Sequence, residues 1–347
     1  METKIIRINS WAESIDDLKY CAEVIKDGGL VVFPTETVYG LGANATSAAA
    51  AKRIYEAKGR PSDNPLIIHI STPSEAEKYA YTSDIYYRLA EKFMPGPLTV
   101  IMTAKETVPL ATRGGLDTVA IRCPENQIAN KLISLVGMPI AAPSANLSGS
   151  PSPTRASHVI DDMMGRVEVI IDGGDCEFGL ESTIVKLEDD GSLTLLRPGK
   201  ITPDDLKSVT ERVNIASAVL NRLSDNEKAE SPGMKYRHYA PKAPFYLLDG
   251  DVEAAISFLE DKKEASFICY QDYVDVLRAK LPWLKIYPFG HFGDETEQAR
   301  LLFSILREAD KEGNKAIYAM LPREIGIGLA LYNRMIRAAS HTIIKLK

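Results

Sequence analysis

Apolar runs and amphipathic segments alternate along the first two hundred residues of the chain. Short apolar runs bounded by polar or turn-forming residues are typical of buried strands. The runs of this kind span residues 30–33, 66–70, 98–102, 119–122, 139–142 and 167–171. Between them, apolar residues recur three and four positions apart, which predicts helices near residues 14–27, 47–57, 84–94, 125–136 and 154–164. Strands that alternate with helices predict a mixed α/β sheet.

Capping and turn residues set the ends of several elements. Ser14, with Asp17 three positions later, has the pattern of a capping box, and Gly28-Gly29 predicts the end of that helix. The Asp189-Asp190-Gly191 turn separates strands predicted at 183–187 and 192–196, so we expect a hairpin there. Thr202-Pro203 predicts a further helix with proline at its first position.

The alternation of strands and helices restarts at residue 245. Strands predicted at 245–248, 266–270, 285–289 and 316–321 alternate with helices near 251–262, 272–281, 295–312 and 327–339. Four such repeats predict a smaller Rossmann-like parallel α/β domain. Gly326-Ile327-Gly328 lacks the third glycine of a dinucleotide-binding turn, so we interpret it as a site of close helix packing. The chain is therefore divided into a first domain (1–215), a linker (216–243) and a C-terminal domain (244–347).

The linker contains an unusual group of side chains. Residues 231–241 include two tyrosines, a methionine, two cations and a histidine. One interpretation is a spacer whose aromatic residues pack on a neighbouring domain. The other is a lid that lies over a binding site, and both remain open.

Length and composition narrow the class of protein. A chain of 347 residues, 45% hydrophobic and 25% charged, is typical of a two-domain globular protein. A net charge of −6 argues against a broad nucleic-acid surface, although a local basic patch remains compatible with it. Apolar stretches stay shorter than the roughly 18 residues of a membrane span, so we expect a cytoplasmic protein without membrane contact. The four scattered cysteines predict buried reduced thiols rather than disulfides or a zinc site.

Two short segments suggest a site for a charged small molecule. Residues 58–66 (KGRPSDNPL) and 142–149 (APSANLSG) combine proline or glycine with cations, hydroxyls and amides. Such side chains suit phosphate oxygens and carboxylates. Lys58 and Arg60 are two residues apart, as are Ser144 and Asn146, so on extended backbone each pair would share one face.

Two further arginines lie next to proline at predicted strand ends. Arg122 precedes Pro124 by two residues, and Arg197 precedes Pro198 directly. Either arginine alone would be interpreted as a member of a surface ion pair. Together with Lys58 and Arg60 they favour an anion site. Because the chain has no P-loop pattern, a bound nucleotide would be held in another way.

A polar turn follows the first buried strand. The segment 33–42 (FPTETVYGLG) passes from apolar residues to hydroxyls, at the kind of position where open α/β sheets bind ligands. His69 lies within an apolar run, where a histidine is more often a satisfied core residue than a ligand. Ser182 has neither nucleophile-elbow glycines nor an evident base, so it is interpreted as a hydrogen-bonding residue.

Several motifs of the chain together resemble those of a known protein family. Residues 20–200 resemble a YrdC-type domain, and the whole layout resembles the long-form L-threonylcarbamoyladenylate synthases. The matching motifs are PTETVYGLG (34–42), Lys-x-Arg (58–60) with Asn-Pro-Leu (64–66), PGPLT (95–99), Ser-x-Asn (144–146), ESTIV (181–185) and SPGMKYRHYAP (231–241). The resemblance implies a YrdC-like mixed twisted sheet followed by the Rossmann-like domain.

The resemblance also implies an activity and a set of site residues. The family makes threonylcarbamoyl-AMP and pyrophosphate from L-threonine, bicarbonate and ATP, with Mg²⁺ carried by the ATP phosphates rather than by protein side chains. The product passes to the tRNA threonylcarbamoyl transferase machinery for N6-threonylcarbamoyladenosine at tRNA position 37. The residues implied for threonine are Thr37, His69, Arg122, Ala142 and Ser182. Those implied for ATP are Arg60, Asn64, Thr118, Ser144, Ser152, Arg197 and Tyr236. The catalytic tetrad implied is Lys58, Arg60, Ser144 and Asn146.

Two other functions remain as alternatives. One is a non-catalytic RNA-binding module of the YrdC-like type, in which the basic loops hold a phosphate backbone. The other is carbamoyl-adenylate chemistry from carbamoyl phosphate, as in hydrogenase-maturation proteins that contain a similar domain. Pyrophosphate release that needs both threonine and bicarbonate would separate the synthase from both.

Overall fold

A computed structural model of the chain describes residues 1–221, 230–232 and 238–347. The chain divides into two units, the first comprising Met1–Ser148 and Ser152–Lys235 and the second comprising Gly149–Pro151 and Tyr236–Lys347. The middle of the predicted linker lies outside the described residues, and its role as a lid stays a prediction.

The first unit contains an eleven-stranded sheet among the described residues. Its strands are β1 (Lys4–Arg7), β2 (Val31–Phe33), β3 (Gly40–Asn44), β4 (Ile67–His69), β5 (Leu98–Thr103), β6 (Thr118–Arg122), β7 (Ile140–Ala141), β8 (Val169–Asp172), β9 (Thr183–Leu187), β10 (Leu193–Arg197) and β11 (Val213–Ile215). They lie in the order β1-β8-β2-β3-β7-β4-β6-β5-β9-β10-β11. Because β4 pairs with β6 in parallel and β5 pairs with β6 antiparallel, the predicted mixed sheet is confirmed. The predicted hairpin is β9–β10.

Helices cover this sheet and complete its core. They are α1 (Ile15–Lys26), α2 (Ala48–Lys58), α3 (Asp84–Phe93), α4 (Leu110–Arg113), α5 (Gln127–Val136), α6 (Ala156–Met163) and α7 (Pro203–Lys207). Short 3-10 helices span Pro73–Lys78 and Ser217–Val219. The apolar faces of α1 and α5 pack together against β2 and β8, where Leu18, Phe33, Leu132 and Ile171 are buried.

The first unit corrects two local predictions. Ser14 precedes α1, but its side chain makes no capping hydrogen bond among the described residues, so the predicted capping box is wrong. Lys58 is the last residue of α2, and Gly59 follows it in the left-handed region with φ of 62°. Lys58 and Arg60 therefore do not share a face of extended backbone, because the helix runs one residue further than its pattern suggested. The predicted start of α7 is confirmed, with Pro203 in its first turn and a capping box from Thr202 to Asp205.

The second unit contains a five-stranded parallel sheet among its described residues. Its strands are β12 (Phe245–Asp249), β13 (Ala265–Cys269), β14 (Lys285–Pro288), β15 (Ala316–Met320) and β16 (Ile343–Lys345), in the order β14-β13-β15-β12-β16. Its helices are α8 (Val252–Leu259), α9 (Val274–Lys280), α10 (Glu295–Lys311) and α11 (Gly328–Ala338), with a 3-10 helix at Gln271–Tyr273. The predicted parallel α/β class is confirmed. A Cβ atom added at Gly328 would lie 2.3 Å from the Arg323 carbonyl oxygen, which supports the close-packing interpretation of this glycine.

Candidate active site

Two neighbouring parallel strands end in predicted site residues. β4 ends at His69 and β6 ends at Arg122, and these two residues are register partners. On the other side of β6, Thr99 of β5 lies opposite Arg122. All three side chains are buried. The pairing of strands distant in sequence thus forms a polar group where two parallel strands end, the location expected of a ligand site in an α/β sheet.

The turn after β2 is held in one conformation by its own hydroxyl groups. The Thr35 hydroxyl oxygen accepts hydrogen bonds from the backbone N–H groups of Thr37 (3.1 Å) and Val38 (3.2 Å). The same hydroxyl lies 2.8 Å from the hydroxyl of Thr37. The side chain of Thr37 is fully buried, so this predicted threonine-binding residue is fixed by the turn rather than exposed on a loose loop.

A buried ion pair joins this turn to the end of β6. Arg122 Nη2 lies 2.6 Å from Glu36 Oε1, and the exposed fractions of the two side chains are 5% and 7%. Glu36 Oε2 accepts a longer hydrogen bond of 3.4 Å from the backbone N–H of Asn126, which caps α5. No hydrogen-bond partner for the buried Arg122 Nε exists among the described residues. An unsatisfied buried donor of a guanidinium group is costly, and a bound carboxylate would satisfy it.

The imidazole of His69 is neutral and incompletely hydrogen-bonded. Burial, and secondarily the charge of Arg122, lowers the pKa of His69 to about 3. Its Nδ1 atom is buried and has no hydrogen-bond partner in the part of the chain that the structure describes. His69 is therefore not the satisfied core histidine of the alternative interpretation, because Nδ1 still needs a polar partner such as a substrate hydroxyl.

Ser182, directly before β9, connects two predicted binding groups. Its hydroxyl lies 2.8 Å from the hydroxyl of Thr99 and accepts a hydrogen bond of 3.1 Å from Arg197 Nη2. Arg197 Nε also donates to the Ser182 carbonyl oxygen at 3.0 Å. Ser182 was implied for threonine and Arg197 for ATP, so this contact links the two predicted substrate groups directly.

Gly199 leaves no room for a side chain beside this serine. A Cβ atom added at Gly199 would lie 2.5 Å from the backbone nitrogen of Thr183 and 2.9 Å from the carbonyl oxygen of Glu181. Backbone atoms cannot move aside as the end of a flexible side chain can. The glycine thus lets the chain after β10 pass closely behind the 181–183 segment.

Lys58 joins α2 to the Ser-x-Asn loop. Its buried Nζ atom donates hydrogen bonds to the carbonyl oxygens of Ser144 and Asn146, the latter at 2.6 Å. The hydroxyl of Ser144 lies 2.5 Å from Asn146 Oδ1, and the backbone N–H of Ser148 donates to the Lys58 carbonyl oxygen at 2.9 Å. The structure therefore brings three of the four predicted catalytic residues together, with the lysine as the clamp that shapes the loop.

The fourth residue of the tetrad, Arg60, contacts the segment that follows it. Arg60 Nη2 donates to the carbonyl oxygens of Asn64 (3.2 Å) and Pro65 (3.0 Å). Asn64 is buried, and its Oδ1 atom has no hydrogen-bond partner within the described ranges. Thr118 begins β6, pairs with Thr103 of β5, and lies at the opposite end of β6 from Arg122.

The other predicted residues contact neighbours of these groups, except for one that lies outside the described residues. Ala142 follows β7 and donates its backbone N–H to the Ile67 carbonyl oxygen at 2.9 Å. Ser144 bridges to Gly40, three residues after Thr37. Ser152 is buried and donates its hydroxyl to Glu181, the neighbour of Ser182. Tyr236, implied for ATP, lies outside the described residues.

Sequence reasoning assigned no role to three buried polar residues of the site. Glu36, Thr99 and Glu181 occur inside the motifs quoted above, but each makes its contact with a residue 29 to 86 positions away. Their position within matching motifs was the only signal in the sequence. No group of three His, Cys, Asp or Glu residues in the described part of the chain could hold a metal ion. None of the helices described is long and apolar enough to cross a membrane.

The site combines unsatisfied polar atoms suited to an amino acid with a separate group of cations, hydroxyls and amides suited to phosphates. These two neighbouring groups are typical of an enzyme that binds an amino acid and a nucleotide. Comparison with known proteins gives the family. A family model described as "Telomere recombination" matches residues 23–199, and one described as "Threonylcarbamoyl-AMP synthase, C-terminal domain" matches residues 201–340.

Relatives match along nearly the whole chain. The threonylcarbamoyl-AMP synthase of Pyrococcus abyssi is 43% identical over 98% of this chain and 97% of its own length. The Bacillus subtilis synthase is 40% identical over 93% of each chain. The crystal structure of P. abyssi Sua5 complexed with L-threonine covers 100% of both chains with a TM-score of 0.89 and 42% identity. The chain belongs to the threonylcarbamoyl-AMP synthase family, as its motifs suggested.

Proposed function

We propose that this chain condenses L-threonine, bicarbonate and ATP to threonylcarbamoyl-AMP and pyrophosphate. The observation that carries the proposal is the pair of buried atoms Arg122 Nε and His69 Nδ1, which belong to register partners and have no hydrogen-bond partner among the described residues. A carboxylate and a hydroxyl group on adjacent carbon atoms, as in threonine, match this guanidinium donor and the neutral imidazole. Ala142 and Ser182 complete the threonine site.

The nucleotide binds at the second group of residues. Arg60, Asn64, Thr118, Ser144, Ser152, Arg197 and Tyr236 are the residues proposed for ATP. The unsatisfied Asn64 Oδ1 is a hydrogen-bond acceptor, and Lys58 keeps the Ser144–Asn146 loop in shape. Thr118 and Arg122 stand at opposite ends of a five-residue strand. At about 3.3 Å per residue, the strand separates these two residues by about 13 Å, and ATP is proposed to extend along it toward the threonine site.

The reaction needs an anionic nucleophile and a stabilised leaving group. The amine of threonine attacks the carbon of bicarbonate, water leaves, and the product is a carbamate. A carbamate oxygen then attacks the α-phosphorus of ATP, and the bond from that phosphorus to the bridging oxygen breaks as pyrophosphate leaves. The carbamate is already charged, so this step needs no strong protein base. Lys58, Arg60 and Arg197 supply position and positive charge for the transferring phosphoryl group.

Mg²⁺ is proposed to enter with the nucleotide. The donors around the Ser-x-Asn loop are an ammonium group, a hydroxyl and an amide, which suit phosphate oxygens that already carry a metal ion. Bound in this way, the ion would neutralise charge on the leaving pyrophosphate. The adenylate product is proposed to pass to the machinery that forms N6-threonylcarbamoyladenosine in tRNA.

The test is an assay of product formation with ATP, threonine and labelled bicarbonate. We expect label in an adenylate and equimolar pyrophosphate, both dependent on threonine. Omitting either threonine or bicarbonate should stop pyrophosphate release. Release that is independent of threonine would refute the proposal, and RNA binding without turnover would favour the binding-module alternative.

A further inference from the structure

Resting on the proposed function, we infer that Glu36 is a positioning residue for threonine recognition. It acts through Arg122 by holding Nη2 of the guanidinium group and leaving Nε to donate to the substrate carboxylate. The observation behind this inference is that Glu36 takes Nη2 at 2.6 Å while Nε of the same guanidinium stays buried and unsatisfied among the described residues.

Hydrogen bonds hold both the backbone and the side chain of Glu36. Its backbone carbonyl oxygen accepts a hydrogen bond of 2.9 Å from the N–H of Phe178, and the Thr35 hydroxyl fixes the turn on either side. The second oxygen of its carboxylate accepts a hydrogen bond of 3.4 Å from the N–H of Asn126 at the N-terminus of α5, where the helix dipole favours negative charge. Glu36 is thus a rigid acceptor placed before any substrate arrives.

A rigid acceptor matters because a guanidinium group can present different edges to a ligand. Arg122 has a long side chain, and its Nε–Nη edge recognises a carboxylate only in a fixed plane. Glu36 fixes that plane from one side, while Thr99 and His69 flank Arg122 on the neighbouring strands. Without Glu36 the guanidinium can turn toward other acceptors, so binding of threonine must then restore its orientation at a cost in affinity.

The experiment separates the position of the acceptor from its charge. Glu36→Gln keeps an oxygen at the same reach without the charge, whereas Glu36→Asp keeps the charge but shortens the side chain by one methylene group. Each variant is assayed for the KM of threonine, the KM of ATP and kcat, and threonine binding is measured by calorimetry without ATP. The matched control is Glu168→Gln, because Glu168 pairs with Arg53 at 2.5 Å in the same unit, outside the site.

If Glu36 positions Arg122, Glu36→Asp should weaken threonine binding at least tenfold, and Glu36→Gln should stay within about threefold of the wild-type chain. The KM of ATP should change less than twofold in both, and Glu168→Gln should leave the threonine affinity unchanged. Wild-type affinity in Glu36→Asp would overturn the inference, as would an equal loss in both variants or a parallel rise in the KM of ATP. Calorimetry keeps this result independent of whether the wild-type chain releases pyrophosphate, so the two proposals can fail separately.

Discussion

Replacing Lys58 with methionine tests whether this lysine shapes the site. Methionine has a similar length and suits a buried position, but it cannot donate to the carbonyl oxygens of Ser144 and Asn146. A hydrogen bond from a charged group contributes about 1.5–3 kcal/mol to stability, so loss of both removes at most about 3–6 kcal/mol.

Part of that loss is offset by contacts that survive the substitution. The backbone bonds from Ser148 to Lys58 (2.9 Å) and from Ala145 to Tyr39 (2.8 Å) still hold the loop. The ammonium group also no longer has to be buried, which is favourable. We therefore expect Lys58→Met to lower the free energy of unfolding of this unit by about 3 kcal/mol, out of a typical 5–15 kcal/mol, so the chain still folds.

Turnover should fall much further than stability. Loss of a pre-positioned donor in a site of this kind lowers kcat by about 100-fold or more. The assays are pyrophosphate release at saturating substrates and urea unfolding followed by circular dichroism. Lys52→Met is the control, because Lys52 lies on the same helix but is 77% exposed and pairs loosely with Glu56 at 3.7 Å. Wild-type kcat in Lys58→Met would refute the catalytic role, and unchanged unfolding would refute the clamp.

Three further predictions concern the two substrate groups. His69 binds a proton below about pH 6.5 in the unfolded chain, but only near pH 3 in the folded chain. The wild-type chain should therefore lose about 2 kcal/mol of stability between pH 7 and pH 5. The variant His69→Gln should abolish that loss, as measured by urea unfolding. Ser182→Ala removes the hydroxyl shared by Thr99 and Arg197 and should raise the KM of threonine about tenfold in steady-state kinetics. Chelation of divalent cations should stop pyrophosphate release, and added Mg²⁺ should restore it.

Each of these predictions has an outcome that would contradict it. An unchanged difference in stability between pH 7 and pH 5 in His69→Gln would mean that another group titrates. A Ser182→Ala variant with wild-type KM for threonine would place the serine outside the binding site. Full activity in excess chelator would contradict entry of the metal ion with ATP.

Most strands of the core were predictable, whereas a glycine-containing strand and several edge strands were not. The run at 98–102 was recognised because a fully apolar segment of that length is typical of a buried strand, and β5 lies there. β3 was missed because its Gly-Leu-Gly start resembles a turn. β1 and β16, of four and three residues, lie at the edges of their sheets and carry little pattern.

The sequence identified the site residues better than it predicted how they are arranged. His69 and Arg122 were both selected from the sequence, but only the parallel pairing of β4 with β6 brings them together. The role of Glu36 depends on a partner 86 residues away, which local pattern does not reveal. Lys58 was expected beside Arg60 on extended backbone, yet the extra helical residue turns it toward the Ser-x-Asn loop.

The crowding behind Gly199 has a consequence for how mutational maps of this enzyme should be read. Any larger residue there would push on the backbone that carries Ser182, because the added Cβ would lie within 3 Å of that backbone. A mutational scan that measures growth or turnover would find position 199 as intolerant of substitution as a charged residue that contacts substrate. Intolerance at this glycine would report a shortage of space behind the catalytic face, and a measure of folding made in parallel would be needed to tell the two causes apart.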